Sequence, residues 1–393
     1  MKQRKKIAIY SGDIPSTTFI ERLIQGIATS QYQIMLFGFI KSNPPVYNNN
    51  VRIIGYLNSR IYKGLHLLKY TLLLTLFRYQ QKIKLDKILK EMSKDSSRHK
   101  VKFYPVLWHK PDIFHIQWAK SLEEWMWVKK FGIKLVLSLR GAHINYSPIA
   151  DEKLAHTYRD LFPQVDQFHA VSKAIGEEAQ KYGANSDRIK VVYSGLDLNR
   201  TSHNMEQVDK SDHFQIISVG RSHWVKGYSY ALDACRLLKL ANFKFNYTII
   251  GASDDLELLY QINDMNLKEE VHVKKTVSFE NVKAHIQDSD LLFLPSLKEG
   301  LANVVLEAMS LRTIVLSTDC GGMHEVITPG ENGFLTLIRD PEHMAKQIME
   351  IASLDDDKKS SIQNRAEDYV KAHHSNESMV KGIQELYDSL LTR

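Results

Sequence analysis

The chain has 393 residues, with 44% hydrophobic and 25% charged residues, a composition that excludes long disorder and allows two domains with full cores. Its net charge of +7 is unevenly spread: residues 1–150 hold 25 Lys and Arg against 8 Asp and Glu (+17), leaving 27 against 37 (−10) for the rest. The two cysteines, Cys235 and Cys320, form neither a metal pattern nor a disulfide framework, and they read as buried thiols of a reducing compartment.

In chain order, the basic N-terminus leads into a short apolar run, Lys6 to Tyr10, too brief for a signal peptide and read as a buried parallel strand. A polar turn, Ser11-Gly12-Asp13, a helix from about Ser16 to Ala28 and a strand Gln33 to Phe39 complete a βαβ start. Between 61 and 92 the residues Ile61, Leu65, Leu68, Leu72, Leu76, Tyr79 and Ile83 recur at steps of three and four, which predicts a helix; Lys84, Lys87, Lys90 and Lys94 follow. Two readings of it stand: an amphipathic helix packed on its domain, or a basic helix lying in a membrane interface. The run Tyr70 to Phe77, bracketed by Lys69 and Arg78, falls well short of a membrane span.

Further strands are expected at Asp112 to Ile116, Lys134 to Leu139, Gln167 to Val171 and Ile189 to Tyr193, with helical patterns between them. The polar stretch 199–212 reads as a linker. A second alternating series follows, with strands at Phe214 to Val219, Phe245 to Ile250, Val271 to Lys274, Leu291 to Leu294 and Thr313 to Leu316. Helices are expected over Pro341 to Leu354, Lys358 to His373 and Asn376 to Leu391.

Ligands of parallel α/β sheets bind beyond the carboxyl ends of the strands, so the residues there carry the functional reading. After Val219 come Gly220 and Arg221, then Lys226 and Gly227 before a helix, a combination suited to a diphosphate. After Leu294 come Glu299, Gly300, Leu301, Asn303, Val304 and Glu307, with Glu307 on an apolar helix. A carboxylate there needs hydrogen-bond donors, such as ribose or sugar hydroxyls. Asp288-Ser289-Asp290 has the spacing of a metal-binding pair but precedes its strand, at the wrong end of the sheet. No Gly-x-Gly-x-x-Gly follows the first strand of either half, which argues against a dehydrogenase.

Together, Gly220-Arg221 with Lys226-Gly227, the Glu-x7-Glu of Glu299 and Glu307, and Gly321-Gly322-Met323-His324-Glu325 resemble the retaining glycosyltransferases of family four. The resemblance spans most of residues 165–335. It implies an α/β, GT-B architecture: two Rossmann-like, doubly wound domains facing across a cleft. Residues 1–198 would bind acceptor, residues 212–375 would bind the nucleotide sugar, and a helix over 376–393 would return to the first domain. It further implies that Arg221 and Lys226 neutralise the diphosphate, Glu307 holds the ribose, Glu299 faces the transferred sugar, and Gly322 and Glu325 shape the adjoining loop. Gly12 stands where the family has a phosphate loop, although this loop is not glycine-rich. Arg140 stands where the family has a histidine that touches donor sugar, and His143 lines the same place. His115 reads as structural.

The implied reaction is retaining transfer of a hexose-type sugar from a UDP- or GDP-sugar, with no cofactor and no metal, to a glycan or lipid-linked acceptor in cell-surface polysaccharide or lipopolysaccharide synthesis. The basic N-terminal half fits an anionic membrane surface at the cytoplasmic face of a bacterial membrane, and no nucleic-acid module is present. The alternatives are a GT-B epimerase or phosphorylase, or an idle nucleotide-sugar binder.

Overall fold

A computed structural model describes residues 4–28, 31–198 and 212–392. The linker stretch 199–212 therefore lies, save for Asp212, outside the described residues. The chain divides into two compact units, one of residues 1–171, 175–195 and 376–393, the other of residues 172–174 and 196–375.

The first unit is built on seven strands: β1 (Lys6–Ile14), β2 (Gln33–Ile40), β3 (Val51–Leu57), β4 (Ile113–Ile116), β5 (Lys134–Leu139), β6 (Gln167–Ala170) and β7 (Ile189–Val191). Their order is β3-β2-β1-β4-β5-β6-β7, and every pairing is parallel. The central strands β4 and β6 are buried at every position, because helices cover both faces and leave no place for a polar alternation. One face carries the helices Arg60–Phe77, Tyr79–Glu91 and Ser97–His109. The other carries Thr18–Ile27 and the C-terminal helix Asn376–Leu391. Met379, Ile383, Leu386, Tyr387 and Leu390 of the latter share a core with Ile9, Ile24 and Leu36. The two helices touch so closely that a Cβ on Gly26 would stand 2.3 Å from Val380 Cγ2.

The second unit has β8 (Phe214–Val219), β9 (Phe245–Ile250), β10 (Val271–Lys274), β11 (Leu291–Leu294), β12 (Ile314–Thr318) and β13 (Phe334–Thr336) in the order β10-β9-β8-β11-β12-β13, again all parallel. That is the doubly wound order, and the chain changes direction of growth between β8 and β11. In the first unit the change falls between β1 and β4.

Five features differ from the sequence reading. Strand β3 and the helix Ser97–His109 were not foreseen; the latter holds Pro105 in its interior, normally a stop signal. Strand β13, three residues long, was also missed. The helix expected over 61–92 is two helices, broken at Arg78 (φ −141°, ψ 39°). Finally, Ser11-Gly12-Asp13 is not a turn: β1 runs on to Ile14 through a bulge between Tyr10 and Gly12. Among the described residues no helix is long and apolar enough to cross a membrane.

Candidate functional site

The switch point of the second unit assembles from three strand ends. Beyond β8, the Tyr228 hydroxyl donates to the Gly220 carbonyl at 3.1 Å, folding the loop back on itself. The Leu297 N–H donates to the Val225 carbonyl at 2.7 Å, which stitches this loop to the one beyond β11. Lys226 thereby reaches Glu299, with Nζ 2.7 Å from Oε1 and the two side chains only 20% and 16% exposed. The Ser296 hydroxyl donates to the same Oε1 at 2.8 Å. Thr318, the last residue of β12, holds Ser296 in turn by donating its hydroxyl to the Ser296 carbonyl.

The backbone at Glu299 is clamped from the far side. Gly321 has φ +59°, and a Cβ there would lie 1.8 Å from the Glu299 carbonyl oxygen, so only glycine fits. The Gly322 N–H donates to the Gly300 carbonyl at 3.0 Å. Glu325 closes the same loop: its carboxylate accepts from the backbone N–H groups of Lys173 (2.8 Å) and Ala174 (2.9 Å), and its carbonyl accepts from the Tyr369 hydroxyl (2.9 Å).

The helix Asn303–Ser310 starts from Ala302 without a side-chain cap, so no N-cap side chain satisfies its first N–H groups. Asn303 Oδ1 is buried and without a hydrogen-bond partner at this helix start. Leu301 and Val304 pack against the apolar cluster beneath, and Glu307 is half-buried on the same helix. Arg221 is exposed, and no ion pair joins it to a carboxylate among the described residues. Burial, then the charges of Arg221 and Lys226, hold the His223 imidazole below its ordinary pKa. Lys226, Glu299, Gly300 and Gly220 are thus brought into one loop system, with Arg221 beside it and Asn303 and Glu307 on the helix that follows.

In the first unit, the residues beyond β4 and β5 form a second polar cluster. Gln117 is fully buried; its Oε1 accepts from Arg140 Nη2 at 3.1 Å and from the Ser138 hydroxyl at 3.4 Å. The Arg140 guanidinium lies 4.7 Å from the centroid of Phe19, and no carboxylate pairs with it among the described residues. Burial pulls its pKa down to about 9. His143 lies against Trp118 (centroids 5.3 Å apart), and burial, then Lys120, lowers it to about 4. Gln117 Nε2, Arg140 Nε and His143 Nδ1 are all buried without a hydrogen-bond partner. Gln117 had carried no weight in the sequence, where a lone glutamine after an apolar run has no distinguishing pattern.

Behind this cluster runs a continuous chain of hydrogen bonds. The Tyr387 hydroxyl meets His115 Nδ1 (2.7 Å), His115 Nε2 meets Ser138 Oγ (2.9 Å), Ser138 Oγ meets His169 Nδ1 (2.9 Å), and His169 Nε2 meets the Val192 carbonyl (3.0 Å). His115 is therefore part of the scaffold. Gly12 sits in the β1 bulge at φ +91°, paired with Gly38, and the strand continues past it, so it is not in a loop. Asp290, in the Asp288-Ser289-Asp290 segment, spends its carboxylate on the Gln215 N–H (2.8 Å) at the amino end of β11. Among the described residues no group of three or more His, Cys, Asp or Glu is arranged to hold a metal ion.

Two all-parallel doubly wound units, each with its polar groups gathered at the carboxyl ends of the strands, define the GT-B class. The chain belongs to the family-four glycosyltransferases: residues 17–200 match the Glycosyltransferase Family 4 profile and residues 200–369 the Glycosyl transferases group 1 profile. It is 26% identical over 249 residues to a putative colanic acid biosynthesis glycosyltransferase, WcaL, of Salmonella typhimurium, covering 61% of each chain. It is 27% identical to the amylovoran biosynthesis glycosyltransferase AmsK of Erwinia amylovora, over 56% of this chain and 55% of that one. The chain thus spans about three fifths of the length of the curated relatives it matches. Among solved structures, sucrose-phosphate synthase of Thermosynechococcus elongatus superposes with a TM-score of 0.76 at 15% identity, over 99% of this chain and 100% of that one. Anabaena HepE, solved with UDP and glucose, superposes with a TM-score of 0.72 at 17% identity, over 98% and 100%. At such identities these structures speak for the fold alone.

Proposed function

We propose that this chain transfers a hexose-type sugar from a nucleotide-diphosphate sugar to a glycan acceptor during assembly of a cell-surface polysaccharide. The observation that carries this reading is the Lys226–Glu299 pair at the carboxyl edge of the second sheet, where a cation and an acid share one hydrogen-bonded loop system. Cations aimed at a departing diphosphate lower the barrier by stabilising charge as it develops there. In this reading Arg221 and Lys226 receive the diphosphate, the open start of the helix Asn303–Ser310 receives a phosphate oxygen, Glu307 binds the ribose hydroxyls, and Glu299 binds hydroxyls of the sugar. In the same reading Arg140 and His143, on the first unit, also bind substrate.

The WcaL and AmsK relatives support a place in exopolysaccharide synthesis, and the UDP bound by HepE favours a UDP-sugar over GDP or ADP. The reaction breaks the bond from anomeric carbon to phosphate oxygen and forms one to the acceptor oxygen. The acceptor proton passes to the departing phosphate, so no protein base and no metal is required, and the anomeric configuration is retained. The acceptor is lipid-linked and the enzyme works at the inner face of a bacterial cytoplasmic membrane.

A thermal-shift series with UDP-, GDP- and ADP-sugars, with and without chelator, tests the donor. The expected result is stabilisation by one UDP-sugar that rises with its concentration and survives chelation. Absence of any shift, or a shift abolished by chelator and restored by Mn²⁺, defeats the donor or the metal-free reading respectively. NMR of the product's anomeric proton decides retention.

A further inference from the structure

We propose that the outward face of the helix Arg60–Phe77 is a docking surface for an anionic lipid bilayer, so that the first unit lies on the membrane with this helix in the interface; the inference rests on the lipid-linked acceptor reading for its purpose, but not for its test. The periodic residues of this helix are not the ones it buries. Ile61, Leu65, Leu68, Leu72 and Leu76 are 74%, 57%, 54%, 52% and 73% exposed. At 100° per residue they fall within an arc of about 80°, and they extend about 22 Å along the axis. The helix is held to its domain by a different face: Tyr70 and Leu74 are buried, and the Tyr70 hydroxyl bonds His109 Nε2 at 3.0 Å. Beyond the break at Arg78, Tyr79 and Ile83 of the next helix are exposed as well.

A surface helix ordinarily turns charged residues outward, and a contiguous apolar stripe of this length marks an interaction surface. The charge around it selects the occupant. Residues 60–90 contain eight Lys and Arg and a single acid, Asp86. That acid is committed, with Lys82 at 2.8 Å and Lys100 at 3.5 Å. Arg60 and Lys69 on this helix, and Lys84, Lys87 and Lys90 on the next, are exposed. Apposing two copies of this face would bring like charges together, whereas anionic headgroups complement them while the leucines enter the acyl boundary. Long lysine stems suit this geometry, since they lie along apolar surface and place their charge at headgroup level.

The placement also fits the chemistry. The helix begins three residues after β3, so Ile61 stands near the carboxyl edge of the first sheet, the edge that carries Gln117 and Arg140. Docking by this helix brings that edge to the bilayer surface, where the sugar of a lipid-linked acceptor is presented.

The test is co-sedimentation of the full chain with vesicles of phosphatidylcholine alone and of equimolar phosphatidylcholine and phosphatidylglycerol, at low and high salt. Binding to the anionic vesicles is expected, with weakening in salt and little binding to the neutral ones. The variant Leu65→Ser/Leu72→Ser is expected to lose about tenfold or more in vesicle affinity. It should keep its melting temperature and its UDP affinity, because both leucines are exposed and belong to the first unit, whereas the donor residues belong to the second. Lys84→Gln/Lys87→Gln should weaken binding and flatten the salt dependence. Wild-type chain that ignores both vesicles, or a serine variant that binds like wild type, overturns the proposal. So does a dimer, seen by light scattering, that the serine variant dissolves while vesicles are ignored, since a second copy is then the occupant. UDP binding without vesicle binding defeats only the docking surface, and vesicle binding without UDP binding defeats only the donor reading.

Discussion

Lys226 Nζ lies 2.7 Å from Glu299 Oε1, and the same oxygen accepts from the Ser296 hydroxyl at 2.8 Å. Each charge therefore has a partner when no donor is present, which spares a half-buried acid and a half-buried cation from standing alone. Under the proposed function, a diphosphate would give the lysine a stronger anion and leave Glu299, still held by Ser296, to meet a sugar hydroxyl. Lys226→Ala is expected to lower turnover by about 10²–10³-fold, the cost of removing one donor aimed at developing negative charge. Steady-state transfer or donor-hydrolysis assays check it, and a change confined to KM would show that the lysine only binds.

Gly321→Ala is expected to disrupt the site from behind. The new Cβ would lie 1.8 Å from the Glu299 carbonyl oxygen at a backbone φ of +59°. Either the Gly321 loop or the Glu299 segment has to move, at a cost of about 1–3 kcal/mol. Calorimetry should record a lower melting temperature, and titration with UDP a weaker affinity.

Tyr387→Phe removes one end of the chain Tyr387–His115–Ser138–His169 and leaves His115 Nδ1 buried without its partner. An expected loss of about 1–3 kcal/mol follows from the unsatisfied nitrogen. Urea unfolding checks it. Because Tyr387 lies on the C-terminal helix, the loss should appear in the unfolding of the N-terminal unit.

Stability should fall as the solution is acidified. Burial holds His109 at about 4 and His169 at about 3, while in the unfolded chain both protonate near the ordinary value of about 6.5. Between those limits the unfolded state binds more protons, so stability is full above about pH 6.5 and is lost as pH drops toward 4 and 3. Each histidine steepens that loss by up to about 1.4 kcal/mol per pH unit. Melting curves between neutral pH and pH 4 check the slope, and His169→Gln should flatten it.

Arg140→Met is expected to impair substrate recognition rather than folding. The guanidinium is half-buried, bonded only to the neutral Gln117, and has no carboxylate partner among the described residues. Removing it relieves an uncompensated charge, so melting temperature should hold or rise, while kcat/KM falls by about tenfold or more for the loss of a charged hydrogen bond to substrate. Unchanged kcat/KM would remove Arg140 from the site.

The residues in sequence fixed by local patterning were legible. Short apolar runs bounded by turn residues, such as Leu291–Leu294, read as strands buried on both faces, and Gly220-Arg221, Lys226 and Glu299 fall in the loops just beyond such runs. Less legible were segments in which local rules conflict. Pro105 sits inside a helix because packing of Phe103, Tyr104, Val106 and Leu107 outweighs its lost hydrogen bond. Gly12 looks like a loop glycine, yet a bulge uses it inside a strand.

By itself the sequence determined the two α/β halves and the basic character of the first, because these depend on periodicity and composition. Only the tertiary structure decided which face of the helix Arg60–Phe77 is inward: apolar residues occur on both sides, and the choice belongs to the packing of Tyr70 and Leu74 rather than to any pattern along the helix. It alone decided that Glu299 is met by Lys226, 73 positions away, since that distance is closed by hydrogen bonds between loops from different strands.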